Sequence, residues 1–364
     1  MTILIFIILL AVLIFVHELG HFIMAKISGI RVNEFGIGFP PRIFGFKPKK
    51  SETTYSINLI PFGGFVKIFG ENYESGADSD GRSFMNKPKW MQSLTLAGGV
   101  LFNLIFAWIL LSAGLMSGMP TIVSEDNLAS VENKNVIISE IIPDSPAESS
   151  GLLAGDKIIS IRTDKIFLEG DNVSLPSFQD AVFKSKGDVI VGYKRENQIF
   201  EVKMTPAIGI LENAPAIGVG LGTVGIMKLK LFPALFEGLK TTFKIIWEVI
   251  RSISLLIYQA LLGKADFSAI AGPVGIAGLV GKVAKFGFIN LISFTAFISI
   301  NLAVINMIPF PAFDGGRLLL ILIEKIRGSV LKPATLNVVN IIGLVILVML
   351  MAAVTYNDIN RLFG

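Results

Sequence analysis

Long runs of apolar residues dominate the pattern of this chain. Four of the runs are close to the about 20 residues that a helix needs to cross the hydrocarbon core of a bilayer, and they hold almost no charged residue. We therefore predict four transmembrane helices. Their approximate bounds are 3–25, 94–115, 288–308 and 336–354.

A fifth apolar segment, 243–262, differs from these four because it contains Lys244, Glu248 and Arg251. This spacing of charges is typical of an amphipathic helix that lies at the membrane interface, and it favours that placement over a further span.

Two segments between the first and second runs have a different period. Residues 32–46 and 55–69 combine Gly, Phe and Pro in short strand-like patterns with turn signals. They predict a β-loop that is apolar enough to dip into the bilayer interface, where non-helical backbone requires protein or water around it. Two interpretations stay open: a hairpin that covers the helices, and a sheet edge that receives an extended peptide.

The longest polar stretch lies between the second and third apolar runs. Strand patterns at 136–142 and 157–162 enclose a helix–turn–strand signature at 145–161. We predict three regions: 1–115 is a first membrane half, 116–230 is an inserted domain with its core at about 135–206, and 231–364 is a second membrane half.

Composition supports the membrane class and limits the chemistry. Of 364 residues, 52% are hydrophobic and 16% are charged, against about 25% charged in soluble domains. The net charge of +4 comes without a basic cluster interleaved with aromatics, so we expect no nucleic-acid partner. There is no cysteine, which excludes a disulfide, a thiolate ligand and a cysteine nucleophile.

The distribution of Lys and Arg predicts the orientation of the chain. The loops 26–89 and 309–332 are rich in these residues, and such loops stay on the cytoplasmic side. The 116–286 insertion and both termini would then be extracytoplasmic.

Both histidines of the chain lie in the first apolar run, as His17-Glu18-Leu19-Gly20-His21. Residues four apart project from one face of a helix, and H-E-x-x-H is the pattern in which two histidines hold zinc while the glutamate handles protons. The alternative is a polar patch inside a helix bundle. Ionisable groups in hydrocarbon are functional candidates by default, so we predict a zinc site at His17 and His21.

A zinc site has to complete its shell with carboxylate or water, because no cysteine or further histidine exists. Asp314 is the best candidate, since prolines and glycines around it can break a helix and bring its carboxylate to another element. Glu324, beside Lys325 and Arg327, is a weaker rival. Asp314 could alternatively serve as a helix cap.

The motifs in combination resemble the site-2 protease family, the bacterial intramembrane zinc metalloproteases of the regulator-of-sigma-E type. The resemblance covers nearly the whole chain, and 145–161 is similar to a bacterial PDZ domain. Three departures stand out: Phe313 precedes the Asp-Gly pair, the second helix lacks the proline of the family's Gly-Pro-x-x-Asn motif, and there is one PDZ segment where many relatives have two. The motifs lie at 17–21, 55–67, 145–161, 272–276 and 306–316.

The resemblance implies a fold and roles for single residues. The fold is a polytopic α-helical membrane protein of about four transmembrane helices, with a membrane-reentrant β-loop and an inserted extracytoplasmic α+β PDZ domain. Glu18 would be the catalytic base and Asn306 would bind the carbonyl or the developing oxyanion. The implied zinc ligands are His17, His21 and Asp314, and the implied substrate-binding residues are Gly63, Gly64, Phe65 and Asn103.

The implied function is that of a zinc metalloendopeptidase in the bacterial cytoplasmic membrane, with its active site near the cytoplasmic side. Its substrates would be single-pass membrane proteins, such as anti-sigma factors or signal-peptide remnants, that another protease has already cut. The competing hypothesis is a non-catalytic adaptor that holds membrane partners through its PDZ domain. A metal transporter is weaker, because the ionisable groups cluster at one depth instead of lining a path.

Overall fold

The computed structural model describes residues 1–71, 80–123, 125–195, 198–211, 214–264, 271–331 and 333–363. The predicted cytoplasmic loops and the predicted PDZ core therefore include residues outside the described parts, namely 72–79, 332 and 196–197. The chain forms two compact units: residues 1–114 with 231–364, and residues 115–230.

The first unit is mostly helical. Four of its helices are long and apolar enough to cross a membrane, which confirms the predicted spans: α1, α2, α7 and residues Leu336–Asn360 within α9. The helices of this unit are α1 (Thr2–Ile27), α2 (Lys89–Ser117), α5 (Leu231–Leu261), α6 (Pro273–Lys285), α7 (Phe288–Met307), α8 (Asp314–Arg327) and α9 (Pro333–Phe363).

Glycines bring α1 and α2 into direct backbone contact. A Cβ atom added to Gly20 would lie 2.2 Å from the carbonyl oxygen of Gly98, and one added to Gly98 would lie 2.6 Å from that of Gly20. Only residues without a side chain allow two helices to approach so closely. This crossing presses the histidine face of α1 against α2.

The helix α5 begins twelve residues before the amphipathic segment predicted at 243–262. Small residues, Ala234, Gly238 and Thr242, form its buried face at intervals of four. Gly238 packs directly on Ser112 of α2, and the indole of Trp108 donates to the carbonyl of Leu235 at 2.8 Å. Charged residues on α5 keep it out of the set of four spans.

The strands β1 (Val32–Phe46) and β2 (Thr54–Ile68) confirm the strand pattern between the first two spans. Each strand is used twice, and the pairing is antiparallel except between 34–37 and 54–57, whose register rises in the same direction. The segment 32–37 pairs with 64–68 on one side and with 54–57 on the other, and 42–46 pairs with 55–58. The result is a small four-stranded sheet in the order 64–68, 32–37, 54–58 and 42–46, in which 64–68 is an edge.

The second unit is built on a seven-stranded sheet with strand order β3-β11-β4-β5-β7-β8, and β6 pairs with β5. A separate hairpin, β9–β10, precedes β11. The strands are β3 (Met119–Ile122), β4 (Val131–Ile141), β5 (Lys157–Arg162), β6 (Phe167–Glu169), β7 (Val189–Arg195), β8 (Gln198–Met204), β9 (Ala207–Leu211), β10 (Ala214–Ala216) and β11 (Val219–Met227).

Two helices complete this unit, α3 (Pro146–Ser149) and α4 (Leu175–Lys184). The helix, turn and strand predicted at 145–161 are confirmed, because Ser145 caps α3 and β5 follows the turn. Apolar side chains of α4, such as Phe178, pack onto the sheet. The strand β11 lies beyond residue 206, where we placed the end of the domain core, and it pairs with β4 along its length.

Candidate metal centre

Three ligand atoms converge at the start of α8. The Nε2 atoms of His17 and His21 are 3.2 Å apart, and Asp314 Oδ2 lies 3.1 Å from the first and 3.3 Å from the second. Tetrahedral zinc with bonds of about 2.0–2.2 Å separates its ligand atoms by about 3.3–3.6 Å. The donor set and its spacing therefore fit catalytic zinc, which takes three protein ligands and keeps a fourth position open.

The two histidines share one face of α1, as their spacing predicts, and both are more than 90% buried. Their rings meet edge to face with centroids 4.7 Å apart. The Nδ1 of His21 lies 2.9 Å from the carbonyl oxygen of Thr95 on α2, and donation to this acceptor leaves Nε2 free for a metal.

Gly99 of α2 makes room for this pair. A Cβ atom at this position would lie 2.5 Å from His21 Nε2 and 2.6 Å from His17 Cε1. Both distances are shorter than a non-bonded contact of carbon allows. The absence of a side chain at Gly99 is therefore a condition for the geometry of the site.

Asp314 reaches the histidines because the chain turns sharply after α7. Ala312 adopts a positive φ of 82°, which is unusual for a residue with a side chain. Gly315 then packs against carbonyl oxygens at the end of α7, and Gly316 packs against the carbonyl of Phe310 in the turn that follows. The residue that caps α8 is Phe313, so the helix-cap alternative for Asp314 is wrong: its carboxylate contacts the histidines.

The histidines also control the charge of Asp314. Burial opposes ionisation of this carboxyl, but hydrogen bonds and the charge interaction with His17 and His21 outweigh burial and hold the pKa of Asp314 well below its usual range. A carboxylate that stays ionised suits a metal ligand. The rival candidate, Glu324, instead pairs with Lys89 of α2.

Glu18 faces a cavity of about 400 Å³ that also contains the three ligand residues. The backbone N–H of Val66 on the β2 edge lies within hydrogen-bonding reach of the Glu18 carboxylate. A Cβ atom at Gly64 would lie 3.5 Å from Glu18 Cγ, so the edge strand passes close to this side chain, with room for about one methyl group between them. The site therefore combines a metal cluster, a carboxylate and a strand edge that pairs with no further strand among the described residues.

Asn306, in the last turn of α7, lines the same cavity, and its Nδ2 lies 3.4 Å from His17 Nε2. Phe65 also lines the cavity, whereas Asn103 is absent from the described residues that do so. Asn103 is fully buried on α2, with Nδ2 at 3.2 Å from His17 Nδ1. The structure thus gathers Glu18 and Asn306 at the cluster and places Asn103 behind the ring of His17.

Sequence reasoning missed several residues around the cavity. Glu71 lines it and forms an ion pair with Arg317 of α8, and burial lowers the pKa of the Arg317 guanidinium. The spacing of Arg317 three residues after Asp314 is a weak signal for the inward-facing side of α8. The pair Gly98-Gly99 in an apolar helix is a stronger signal, since paired glycines often mark close helix contacts.

Comparison with known proteins gives a consistent result. The model of peptidase family M50 matches residues 5–350. The regulator of sigma-W protease RasP of Bacillus subtilis is 30% identical, over 100% of this chain and 99% of its own length. The zinc metalloprotease RasP of Bacillus licheniformis is also 30% identical with the same coverage, and a Clostridium perfringens protein is 34% identical over 95% of both chains.

Proposed function

We propose that this chain hydrolyses peptide bonds in or near the transmembrane segment of single-pass membrane proteins. The chain belongs to peptidase family M50 and is an intramembrane zinc metalloprotease. One observation carries this proposal: the cluster of His17, His21 and Asp314 is built on a helix that can span a membrane, beside a cavity that holds Glu18.

His17, His21 and Asp314 would hold the zinc ion, which when bound polarises the scissile carbonyl and makes water more acidic. The carboxylate of Glu18 accepts a proton from the attacking water and delivers it to the leaving amine. The amide of Asn306 donates a hydrogen bond to the oxyanion that develops on the carbonyl. These roles agree with the position of both side chains on the cavity wall.

The β2 edge offers a way to present an extended substrate. Phe69, directly after β2, donates its N–H to the carbonyl of Arg31, directly before β1, and the backbone groups of alternate residues in a strand point to opposite sides. The backbone groups of Gly64 and Val66 therefore point away from β1, as the contact of Val66 with Glu18 also indicates. A substrate strand that pairs with Gly64 and Val66 would lie along the catalytic carboxylate.

The neighbouring substrate-binding residues fit this arrangement. Gly63 has a φ of 110°, a conformation that favours glycine, and Gly64 leaves no methyl group between the strand and Glu18. The ring of Phe65 would contact the substrate from the cavity wall. On this basis 32–68 is the membrane-reentrant β-loop.

We assign the second unit, 115–230, as an extracytoplasmic PDZ domain. A groove of about 480 Å³ lies between α4 and β11 and is lined by Phe178, Ile217 and Val219. The strand β3 pairs with residues 224–227 of β11, and Val123 N–H donates to the carbonyl of Thr223. Within the part of the chain that the structure describes, residues 219–222 therefore have no strand partner on that side, beside the groove. Such an edge can bind a peptide; a domain that only excludes bulky ectodomains remains the alternative.

The substrates would be membrane proteins whose ectodomain another protease has already removed, such as anti-sigma factors or signal-peptide remnants. The name of the Bacillus subtilis relative, a regulator of sigma-W, supports the first class. Loop charges favour a bacterial cytoplasmic membrane location with the site near the cytoplasmic side.

The test is a Glu18→Gln variant in proteoliposomes with a single-pass substrate. We expect it to retain zinc and to lose cleavage, because the amide cannot accept the proton. Glu248→Gln, an exposed position on α5, is the matched control and should cleave normally. Full activity of Glu18→Gln would contradict the assignment, and purified protein without stoichiometric zinc would favour the adaptor.

A further inference from the structure

The buried amide of Asn103 has no role in the proposed chemistry. Its side chain is fully buried, its Nδ2 lies 3.2 Å from His17 Nδ1, and its Oδ1 has no hydrogen-bond partner among the described residues. Its backbone carbonyl accepts a hydrogen bond of 2.8 Å from Ser299 Oγ on α7. The amide thus lies on the Nδ1 side of the His17 ring, where α2 contacts α7.

The chemistry of a metal-bound imidazole decides what this amide must do. A histidine that binds metal through Nε2 carries its proton on Nδ1, and that N–H requires an acceptor. The NH₂ group of Asn103 would oppose it with a second donor. The oxygen and nitrogen of an amide have nearly the same shape, so a half-turn of the group exchanges them and puts Oδ1 within reach of Nδ1–H.

We propose that Asn103 is a positioning residue for the metal centre: its Oδ1 accepts the Nδ1–H of His17 and fixes the ring with Nε2 toward Asp314. His21 is held in the same way by the backbone carbonyl of Thr95. Both imidazoles are therefore oriented from α2, one by a main-chain acceptor and one by a side chain that can be replaced.

The position of Asn306 sharpens this assignment. Its amide lies near His17 Nε2, the nitrogen that faces the cluster, so it cannot hold the opposite nitrogen. Among the described residues, Asn103 is the side chain that hydrogen-bonds His17 Nδ1. A side chain at position 103 that filled the same space without a hydrogen bond would leave the His17 ring free to rotate away from the metal.

The test compares Asn103→Leu, which removes the acceptor, with Asn103→Asp, which keeps it. Zinc affinity is measured in detergent by competition with a chelator of known affinity, and thermal unfolding reports the fold. We expect Asn103→Leu to bind zinc about 10–100-fold more weakly, the usual effect of losing such a partner, and Asn103→Asp to stay within about threefold of wild type.

Ser299→Ala is the matched control, because it removes a buried hydrogen bond at the same helix contact without touching His17. It should lower stability and leave zinc affinity unchanged. If Asn103→Leu does not fold, Asn103→Ala serves in its place.

Three outcomes would overturn the proposal. Equal zinc loss in Ser299→Ala would show that packing alone matters. Equal loss in Asn103→Asp would remove the acceptor role. Wild-type zinc affinity in Asn103→Leu with a raised KM would assign Asn103 to substrate binding instead. The zinc affinities are distinguishable from failure of the protease assignment, since zinc binding is measured without substrate.

Discussion

The substitution Gly99→Ala tests how closely α2 must approach the metal ligands. The added methyl carbon would lie 2.5 Å from His21 Nε2 and 2.6 Å from His17 Cε1. Van der Waals contact requires about 3.4 Å, so the rings or the helix must move by about 0.9 Å. The helix cannot retreat without opening the Gly20–Gly98 crossing.

A displacement of this size is large for a metal site. Ligand distances have to stay within about 0.2 Å of their ideal values, and a shift of about 1 Å in a catalytic group can lower the rate about 100-fold. We therefore expect Gly99→Ala to lose about 100-fold in kcat/KM together with zinc affinity. Alanine improves the intrinsic helix propensity of α2 by up to about 1 kcal/mol, so poor helix formation would not explain the loss.

The assay combines substrate cleavage in proteoliposomes with a zinc competition titration. Gly278→Ala on α6 is the control, because a Cβ atom there meets nothing within 4 Å, and it should behave as wild type. Wild-type zinc affinity and cleavage in Gly99→Ala would refute the claim that this glycine shapes the site.

Three further predictions concern other parts of the chain. Asp358→Ala should destabilise the protein by about 1–3 kcal/mol in thermal unfolding, because Asp358 accepts hydrogen bonds from two backbone N–H groups at the start of α6. Asp358→Asn keeps one acceptor oxygen and should lose less stability. Arg195→Ala should destabilise by about 1–3 kcal/mol, since it removes two hydrogen bonds from the buried carboxylate of Asp156 and leaves it the N–H of Leu153; unchanged stability would contradict the structure of this pair. Val66→Pro should reduce cleavage at least about tenfold and leave the zinc content unchanged, because the N–H that proline lacks faces Glu18 and not β1. Normal cleavage in this variant would argue against strand addition.

The sequence predicts those features that depend on local periodicity. The four spans follow from apolar runs, and the shared face of His17 and His21 follows from helical spacing. Asp314 could be proposed from the breakers around it, but its approach to α1 depends on a turn at Ala312 and on the packing of two glycines, which no periodicity reveals.

Contacts between distant segments explain what sequence reasoning missed. Gly99 matters only because the α1–α2 crossing places it opposite the histidines, and Asp358 matters only because α9 brings it to the start of α6, 86 residues from Gly272. The double use of β1 likewise depends on a register that strand patterns do not specify. Asn103 was predicted from motif position alone, and the hydrogen bond to His17 suggests a different role.

The metal cluster formed by α1 and α8 is expected to cut substrate within the membrane. Mass spectrometry of the fragments from a reconstituted single-pass substrate tests it most directly, with Glu18→Gln as the blank. We predict that wild-type protein cuts inside or at the cytoplasmic end of the substrate's transmembrane segment and that the blank yields no fragment. Cleavage confined to the extracytoplasmic part of the substrate, or the same fragments from Glu18→Gln, would contradict the account.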